Sequence, residues 1–357
     1  MKLLKAVIKN FRNVVERAIL LDKTYVVEGA NMTGKTNTLN AIHWAFTGTT
    51  MDGSNDNRAN FTITDPDVVV PSISVRLEFE GFTFERRCDL VLGVPTVSIY
   101  INDVLCKTVK NGEAQLHAKL GLSDIILKEP KGFDIVKFLL NPLYFETVAP
   151  KSLRQFFYLL ADVNFDEIAE KQSKAVVEVL TRYPNRDPYF LLGSIDTEKR
   201  ALKKTLDACK VAIPLFPEIS GKAHELQTKT EKEMKEVESR ETLIQKYALA
   251  VSKHINGYYQ KAMKMGVCIL EKGVDEDVFL DVCYPILPIS NLPFSQGSYA
   301  EKTCMAVAFV SLVAKTYNIP TLPLLVDNME SLDSISNQSL NEFIEQNDAQ
   351  YIGAMVQ

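Results

Sequence analysis

No C-x-x-C pair occurs in the 357 residues, and none of the six cysteines (Cys88, Cys106, Cys209, Cys268, Cys283, Cys304) has a histidine at metal-ligand spacing. That excludes a zinc site, and the scatter reads as reduced core thiols of a cytoplasmic protein and not as a disulfide framework. Any run of about 18 apolar residues is also lacking, so no membrane span is expected. The start, Met1-Lys2-Leu3-Leu4-Lys5, passes straight into strand-like alternation without the apolar core of a signal peptide. Positive charge is not in excess: 40 Lys and Arg stand against 45 Asp and Glu, a net charge of −5. No overall basic field marks a nucleic-acid binder, although local basic patches work on acidic proteins. Histidine is scarce, and His43, His117, His224 and His254 read as structural or exposed. What is plentiful is apolar sequence, 46%, ample for one large domain or two ordinary ones with a buried core.

The most informative stretch is Tyr25-Val26-Val27-Glu28, then Gly29-Ala30-Asn31-Met32-Thr33-Gly34-Lys35-Thr36, then Asn37-Thr38-Leu39-Asn40-Ala41-Ile42-His43-Trp44-Ala45. It reads as a buried strand, a phosphate loop and a helix, and matches G-x-x-x-x-G-K-[ST] in the context that pattern requires. Gly29 and Gly34 let the backbone curl so that N–H groups point at a triphosphate, and the helix offers its positive end to the same anion. Gly29, Asn31, Thr33, Gly34, Lys35, Thr36 and Asn37 are therefore candidate nucleotide-binding residues. Lys35 would neutralise the β and γ phosphates of ATP, and Thr36 would hold Mg²⁺. Upstream, residues 3–8 and 16–21 pattern as a hairpin around Asn10-Phe11-Arg12-Asn13, expected to lie beside the phosphate-loop strand. From that turn Arg12 could reach the nucleotide, or stand as a lone surface cation.

Downstream, the polar stretch 48–57 reads as a mobile loop. Strands at about 73–79, 82–88 and 97–101 form a β-meander, which adds an antiparallel sheet to the α/β core. Asn141, in Asn141-Pro142, could ligate Mg²⁺ or the attacking water; Asn-Pro is also an ordinary turn former. An amphipathic helix follows from about 151 to 160. From 165 to 265 helical sequence dominates: Ile195, Leu202, Leu206, Cys209 and Ile213 form one seam, and Leu226, Met234, Val237, Ile244, Ala248, Val251, Ile255 and Tyr258 another. Pro214 to Gly221 breaks them into an antiparallel hairpin, whose first arm is expected to be a stub of about 27 Å. Its charge run (Glu231 to Arg240) reads as a solvated face. Phe294 to Lys302 then opens an apolar helix and places Ser295 and Gly297 at a second potential phosphate site, or at an N-cap. The stretch Thr321 to Val326 reads as a buried strand ending in Asp327, which would bind Mg²⁺ through water if that strand neighbours the phosphate-loop strand. Helix 337–346 and strand 351–355 follow, leaving no room for an appended catalytic domain. The division expected is 1–190 and 263–357 as two lobes of one split domain, with 191–262 inserted as a helical hairpin.

This arrangement resembles the ABC-type ATPase heads of the SbcC and SMC kind, which include the large subunit of the double-strand-break nuclease complex and short phage-encoded relatives. The resemblance spans nearly the whole chain and is most specific at Ile8-Lys9-Asn10-Phe11-Arg12 with Glu28 to Thr36, and at Val326-Asp327-Asn328-Met329-Glu330-Ser331. It implies an α/β P-loop NTPase head with an antiparallel β-meander and an inserted short coiled-coil hairpin. Two such heads sandwich two ATP molecules as a homodimer. By this match Asn141 stands at the Q-loop amide, Ser295 and Gly297 at the signature that reaches the partner's γ-phosphate, and Asp327 at the Walker B acid. The resemblance further implies an ATP-gated clamp or switch on DNA in recombination, repair or DNA processing, with a separate nuclease subunit. A RecF-like DNA loader with little turnover, or a defence or counter-defence ATPase sensor, are the alternative readings.

Three departures from the family pattern stand out. Ser295-Gln296-Gly297-Ser298 keeps only part of S-G-G-E/Q. Asn328 stands where many members carry a catalytic Glu, and an amide cannot accept a proton from water at neutral pH; either Glu330 is the base or hydrolysis is slow. The zinc-hook C-x-x-C is absent, in keeping with a short hairpin, and no histidine lies in the last strand region.

Overall fold

The computed structural model describes residues 2–61, 72–141, 143–269, 271–272, 279–280, 283–287, 290–319, 322–347 and 349–356. Pro142 and Thr321, assigned above to a turn and a strand, lie outside the described residues. The chain divides into two compact units: Met1–Leu160, Ala262–Met265 and Tyr284–Gln357 form one, Ala161–Lys261 and Gly266–Cys283 the other.

In the first unit, strands β1 (Leu3–Phe11), β2 (Val14–Leu20), β4 (Ser72–Phe79), β5 (Phe82–Val91), β6 (Val94–Ile101) and β7 (Val104–Leu105) make an antiparallel sheet of order β2-β1-β4-β5-β6-β7. Alternation dictates its two faces: Ile73, Val75, Leu77 and Phe79 of β4 are all buried, with polar residues between them. β1 turns into β2 through Asn10 and Arg12, both at positive φ (58° and 50°). Strand β3 (Thr24–Gly29) belongs to a different, all-parallel sheet with β12 (Leu324–Val326) and β13 (Tyr351–Val356), in the order β12-β13-β3. The β1–β2 hairpin therefore does not pair beside the phosphate-loop strand as expected. Both edges of β1 are taken, one by β2 and one by β4.

Helix α1 (Lys35–Thr47) buries Leu39, Ile42, Trp44 and Phe46 and stops at Gly48, whose φ of 75° lets its N–H return to the Trp44 carbonyl. Gln350 links the two sheets: its Oε1 accepts from Leu3 N (2.8 Å), and its Nε2 donates to the carbonyls of Leu3 (2.8 Å) and Asp22 (2.7 Å). The stretch 48–57 is held by hydrogen bonds within itself and to α1. Thr50 N donates to Ser54 O (3.0 Å), Asn40 Oδ1 accepts from Met51 N (2.9 Å), and Asn57 Oδ1 accepts from Trp44 Nε1 (2.9 Å). The polar residues that suggested a mobile loop supply these turn bonds. Helices α2 (Val109–Lys119), α3 (Ser123–Leu127), α4 (Ile135–Leu140) and α5 (Pro150–Leu160) follow the sheet. Phe138 of α4 and Phe156 of α5 pack with Phe133 and Phe145, and Phe145 meets Phe309 of α10 (Tyr299–Tyr317) edge-on at 5.1 Å. Strand β11 (Tyr284–Ile286) and helix α11 (Ser334–Asn347) complete the elements of this unit.

The second unit holds α6 (Phe165–Glu170), α7 (Lys174–Leu180), α8 (Pro188–Leu215), α9 (Ser220–Met263, to Lys261 in this unit), β8 (Gly266–Cys268) and the antiparallel pair β9 (Glu271–Lys272) and β10 (Phe279–Leu280). The α8–α9 hairpin is longer than the expected stub: 28 residues in α8 give about 42 Å at 1.5 Å per residue. Asp187 starts α8 early by accepting from Tyr189 N (3.0 Å), and the helix runs through Pro214 to its last turn. Arg240 pins the two arms together on Glu198 (2.5 Å) and Tyr183 Oη (2.8 Å), beside a Lys199–Glu241 pair (2.8 Å). In α9 the buried residues are Ala223, Thr230, Val237, Ile244, Tyr247, Ala248, Val251, Ile255 and Tyr259; Leu226 is exposed and Met234 and Tyr258 are half-buried, against the seam expected. Ala223, Thr230, Val237, Ile244 and Val251 keep intervals of seven, the repeat of a coiled-coil seam.

Replacing Gln350, 3% exposed, by Ala would leave the Leu3 N–H and two carbonyls without their partner. The expected loss is about 2–4 kcal/mol of unfolding free energy, read by denaturant titration of the fluorescence of Trp44, the only tryptophan.

Candidate phosphate-binding site

Three consecutive features of the backbone shape the loop after β3. Gly29 has φ 150°, Met32 φ 66° and Gly34 φ 85°. A side chain at Gly34 would be strained in that left-handed conformation, and its Cβ would lie 2.9 Å from Asn13 Oδ1. Gly34 is the N-cap of α1 and, having no side chain, leaves the first N–H groups of the helix turned to the loop. Those donors and the helix dipole suit an anion. Lys35 is buried and folds back across the loop, its Nζ donating to the carbonyls of Gly29 (2.8 Å) and Ala30 (2.6 Å).

Thr36 meets Asp327 from the other end of the chain, Thr36 Oγ1 donating to Asp327 Oδ1 at 3.1 Å. The strand that leads into the phosphate loop, β3, and the strand that leads into Asp327, β12, are not neighbours as the sequence reading required, because β13 lies between them. They converge across small residues. In the register, Gly353 sits between Val326 and Val26, and a Cβ there would fall 1.9 Å from Met329 Sδ. Asp327 Oδ1 also accepts from Asn328 N (3.1 Å), and Asn328 turns left-handed at φ 48°, ψ 48°. Glu330 Oε2 accepts from Val356 N (3.2 Å). Asn31, Gly34, Lys35, Thr36, Asn37, Asp327, Asn328 and Glu330 all line one cleft of about 150 Å³. That is too small for a whole nucleotide and of a size for its phosphates.

The cleft also has a wall that motif reading missed. Asn13, from the β1–β2 turn, donates from Nδ2 to the Met32 carbonyl (2.8 Å) and accepts from Asn37 Nδ2 (2.8 Å). It lines the cleft, yet its only mark in the sequence is a turn position that asparagine suits anyway. Arg12 does not line the cleft. Its Nη1 donates to Asn37 Oδ1 (3.2 Å) and its Nε to Asn60 Oδ1 (3.1 Å). Arg17 likewise braces the loop, through Thr38 Oγ1 (2.6 Å) and the Thr33 carbonyl (3.4 Å). Thr33 Oγ1 donates to the Ala30 carbonyl (2.9 Å).

Other sequence candidates lie apart from this cleft. Asn141 is buried, with Nδ2 donating to the Met51 carbonyl (3.2 Å) and Oδ1 accepting from Leu143 N (3.0 Å). Ser295 is exposed, and Gly297 packs so closely under Leu287 that a Cβ would come within 2.2 Å. The helix start beside them is α10, where Ser298 and Glu301 form a capping box. Tyr299, the first residue of α10, does reach the cleft's acidic end: its hydroxyl donates to the Asp327 carbonyl. His43 is structural. It is buried with Nδ1 2.7 Å from the Thr49 carbonyl, and burial pushes its pKa down to about 4.

A hydroxyl and a carboxylate sharing one corner are hard oxygen ligands of the kind Mg²⁺ takes. Among the described residues no group of three or more His, Cys, Asp or Glu could hold a metal. Thr36 and Asp327 are the residues of this corner that could hold such an ion, with other oxygens completing its shell.

Compared with known proteins, the chain matches a family described as an AAA domain over residues 5–261. None of the curated proteins matches it. Similar solved structures include the Smc head domain with an extended coiled coil from Pyrococcus furiosus, bound to the C-terminal domain of ScpA. It is 15% identical, with 99% of this chain and 89% of that chain covered and a TM-score of 0.48. The recombination mediator protein RecF with ATP, of the RecFOR pathway, is 13% identical, with coverage of 99% and 92% and a TM-score of 0.45. The SMC head domain from Thermotoga maritima is 12% identical, with coverage of 100% and 90% and a TM-score of 0.39.

Because Asn13 holds both the Met32 carbonyl and Asn37, Asn13→Ala should weaken ATP binding about fivefold to tenfold. Calorimetry checks this, with an unchanged melting temperature as the control.

Proposed function

The chain belongs to the AAA domain family, and on that premise we propose that it is an ATP-binding, ATP-hydrolysing head of the SMC and SbcC type. In this reading it pairs with a second copy when ATP is bound and acts as a clamp or switch on DNA in recombination, repair or DNA processing. The observation that carries it is the Thr36–Asp327 bond at 3.1 Å, between residues 291 positions apart, beside Lys35 and the left-handed Gly34. A glycine turn before an ordinary helix would not need a carboxylate from the far end of the chain at that threonine.

Lys35 would leave the Gly29 and Ala30 carbonyls for the β and γ phosphate oxygens, while the loop N–H groups and the α1 dipole hold the rest of the triphosphate. Bound at Thr36 and Asp327, Mg²⁺ would neutralise charge that builds on the phosphate oxygens. Glu330 is the acid at hand to accept the proton of an attacking water, and Asn328 can orient that water but not deprotonate it. Ser295 and Gly297, outside the cleft of their own chain, would reach the γ-phosphate held by the second copy. A nuclease subunit is the partner this reading adds.

A switch with little turnover, as in the RecF-like alternative, is favoured by one observation: Glu330, the acid that would serve as base, already accepts from Val356 N. Glu330→Gln tests that role. If Glu330 is the base, turnover falls by about 100-fold or more and the ATP-bound pair accumulates; unchanged steady-state phosphate release takes that role from Glu330 and leaves a water placed by Asn328 or one with no side-chain base.

Light scattering with and without ATP and Mg²⁺, repeated with duplex and single-stranded DNA, tests the whole proposal. Lys35→Ala should abolish ATP binding. Ser295→Arg should leave calorimetric ATP affinity intact and lose the ATP-dependent pair. An ATP-dependent dimer of the Ser295→Arg protein removes the trans contact from the proposal.

A further inference from the structure

Asp327 is held at three points, and one of them comes from outside the phosphate loop and its metal corner. Its Oδ1 accepts from Thr36 Oγ1 and from Asn328 N, both at 3.1 Å, while its backbone carbonyl accepts from the hydroxyl of Tyr299. The residue after it, Asn328, is left-handed, so the 327–328 peptide sits at a sharp turn whose orientation no strand or helix dictates.

The donor is itself anchored independently. Ser298 Oγ accepts from Glu301 N (3.2 Å), and the Glu301 carboxylate accepts from Ser298 N (3.4 Å) and Ser290 N (3.1 Å). Tyr299 therefore leaves a fixed helix start. Its phenolic O–H is a donor, and the Asp327 carbonyl is the acceptor it meets.

Building on the nucleotide-site reading, we propose that Tyr299 is a positioning residue for the metal corner, its hydroxyl fixing the Asp327–Asn328 peptide so that the Asp327 carboxylate faces Thr36. Tyr299 touches neither phosphate nor metal and acts only through Asp327. A phenylalanine would fill the same space and differ only in the bond to the carbonyl.

The test uses full-length wild type and Tyr299→Phe. Calorimetry gives ATP affinity in EDTA, and electron paramagnetic resonance gives Mn²⁺ affinity of the ATP-bound protein. The expected result is metal-free ATP affinity within about twofold of wild type and Mn²⁺ bound about fivefold more weakly, the size set by one lost hydrogen bond. Mn²⁺ affinity within twofold of wild type overturns the assignment. So does a parallel loss of metal-free ATP affinity, because that is what a merely structural tyrosine would produce. Should Tyr299→Phe fold poorly, hydrogen exchange of the Asn328 amide in wild-type protein decides: protection that rises on adding Mn²⁺ and ATP supports a held peptide, and unprotected exchange throughout overturns it. Wild-type protein that fails to bind ATP at all overturns the nucleotide reading and this inference with it, a result distinct from each of the others.

Discussion

Strand β13 in the middle of the parallel sheet is the constraint on which the site depends. It pairs with β3 along six residues and with β12 along three, and so sets how far Asp327 stands from Thr36. Small residues at its crossing point matter as much as the pairing. Gly353 leaves space for Met329, and Ala354 forms part of the cleft wall. A larger side chain at 353 would lift the segment that carries Asn328 and Glu330 away from the phosphate loop.

Much of this was legible in the sequence. The phosphate loop, the meander, the paired long helices and the acid after a buried strand each carry a local signature, such as glycine spacing, period-two alternation or heptad recurrence. What was not legible depends on pairing between distant strands. Alternation at residues 3–8 marks a strand but not its neighbours, so it does not reveal that the β1–β2 hairpin and β3 belong to different sheets. Both Asp327 and Lys35 stood out, but the strand lying between theirs is specified only by three-dimensional register. Asn13 was missed for a different reason: its role is to brace a loop through hydrogen bonds made at a distance of nineteen residues or more, which no spacing rule records. The helical stub was undersized because Asp187 and Pro188 begin the helix before the first heptad position, and proline is compatible with a helix start.

The electrostatics of the cleft follow from the same geometry. Arg12 and Arg17, the two arginines that precede the loop in sequence, are spent on asparagine, threonine and carbonyl groups. They stiffen the wall, and Lys35 is left as the cation that lines the cleft among its described residues. Rigid backbone donors with one movable cation make a site that is largely formed before a ligand arrives, which lowers the ordering cost of binding.

The parallel sheet joins residues 24–29 to residues 351–356, and Gln350 ties the same late segment to Leu3 and Asp22. During synthesis, β3 emerges from the ribosome early and must wait for more than three hundred further residues before its hydrogen-bonding edge is covered. At translation rates of roughly 5–20 residues per second that is tens of seconds with unpaired backbone N–H and C=O groups open to other chains. Until β13 arrives, that edge of β3 is a template on which another chain's strand can pair.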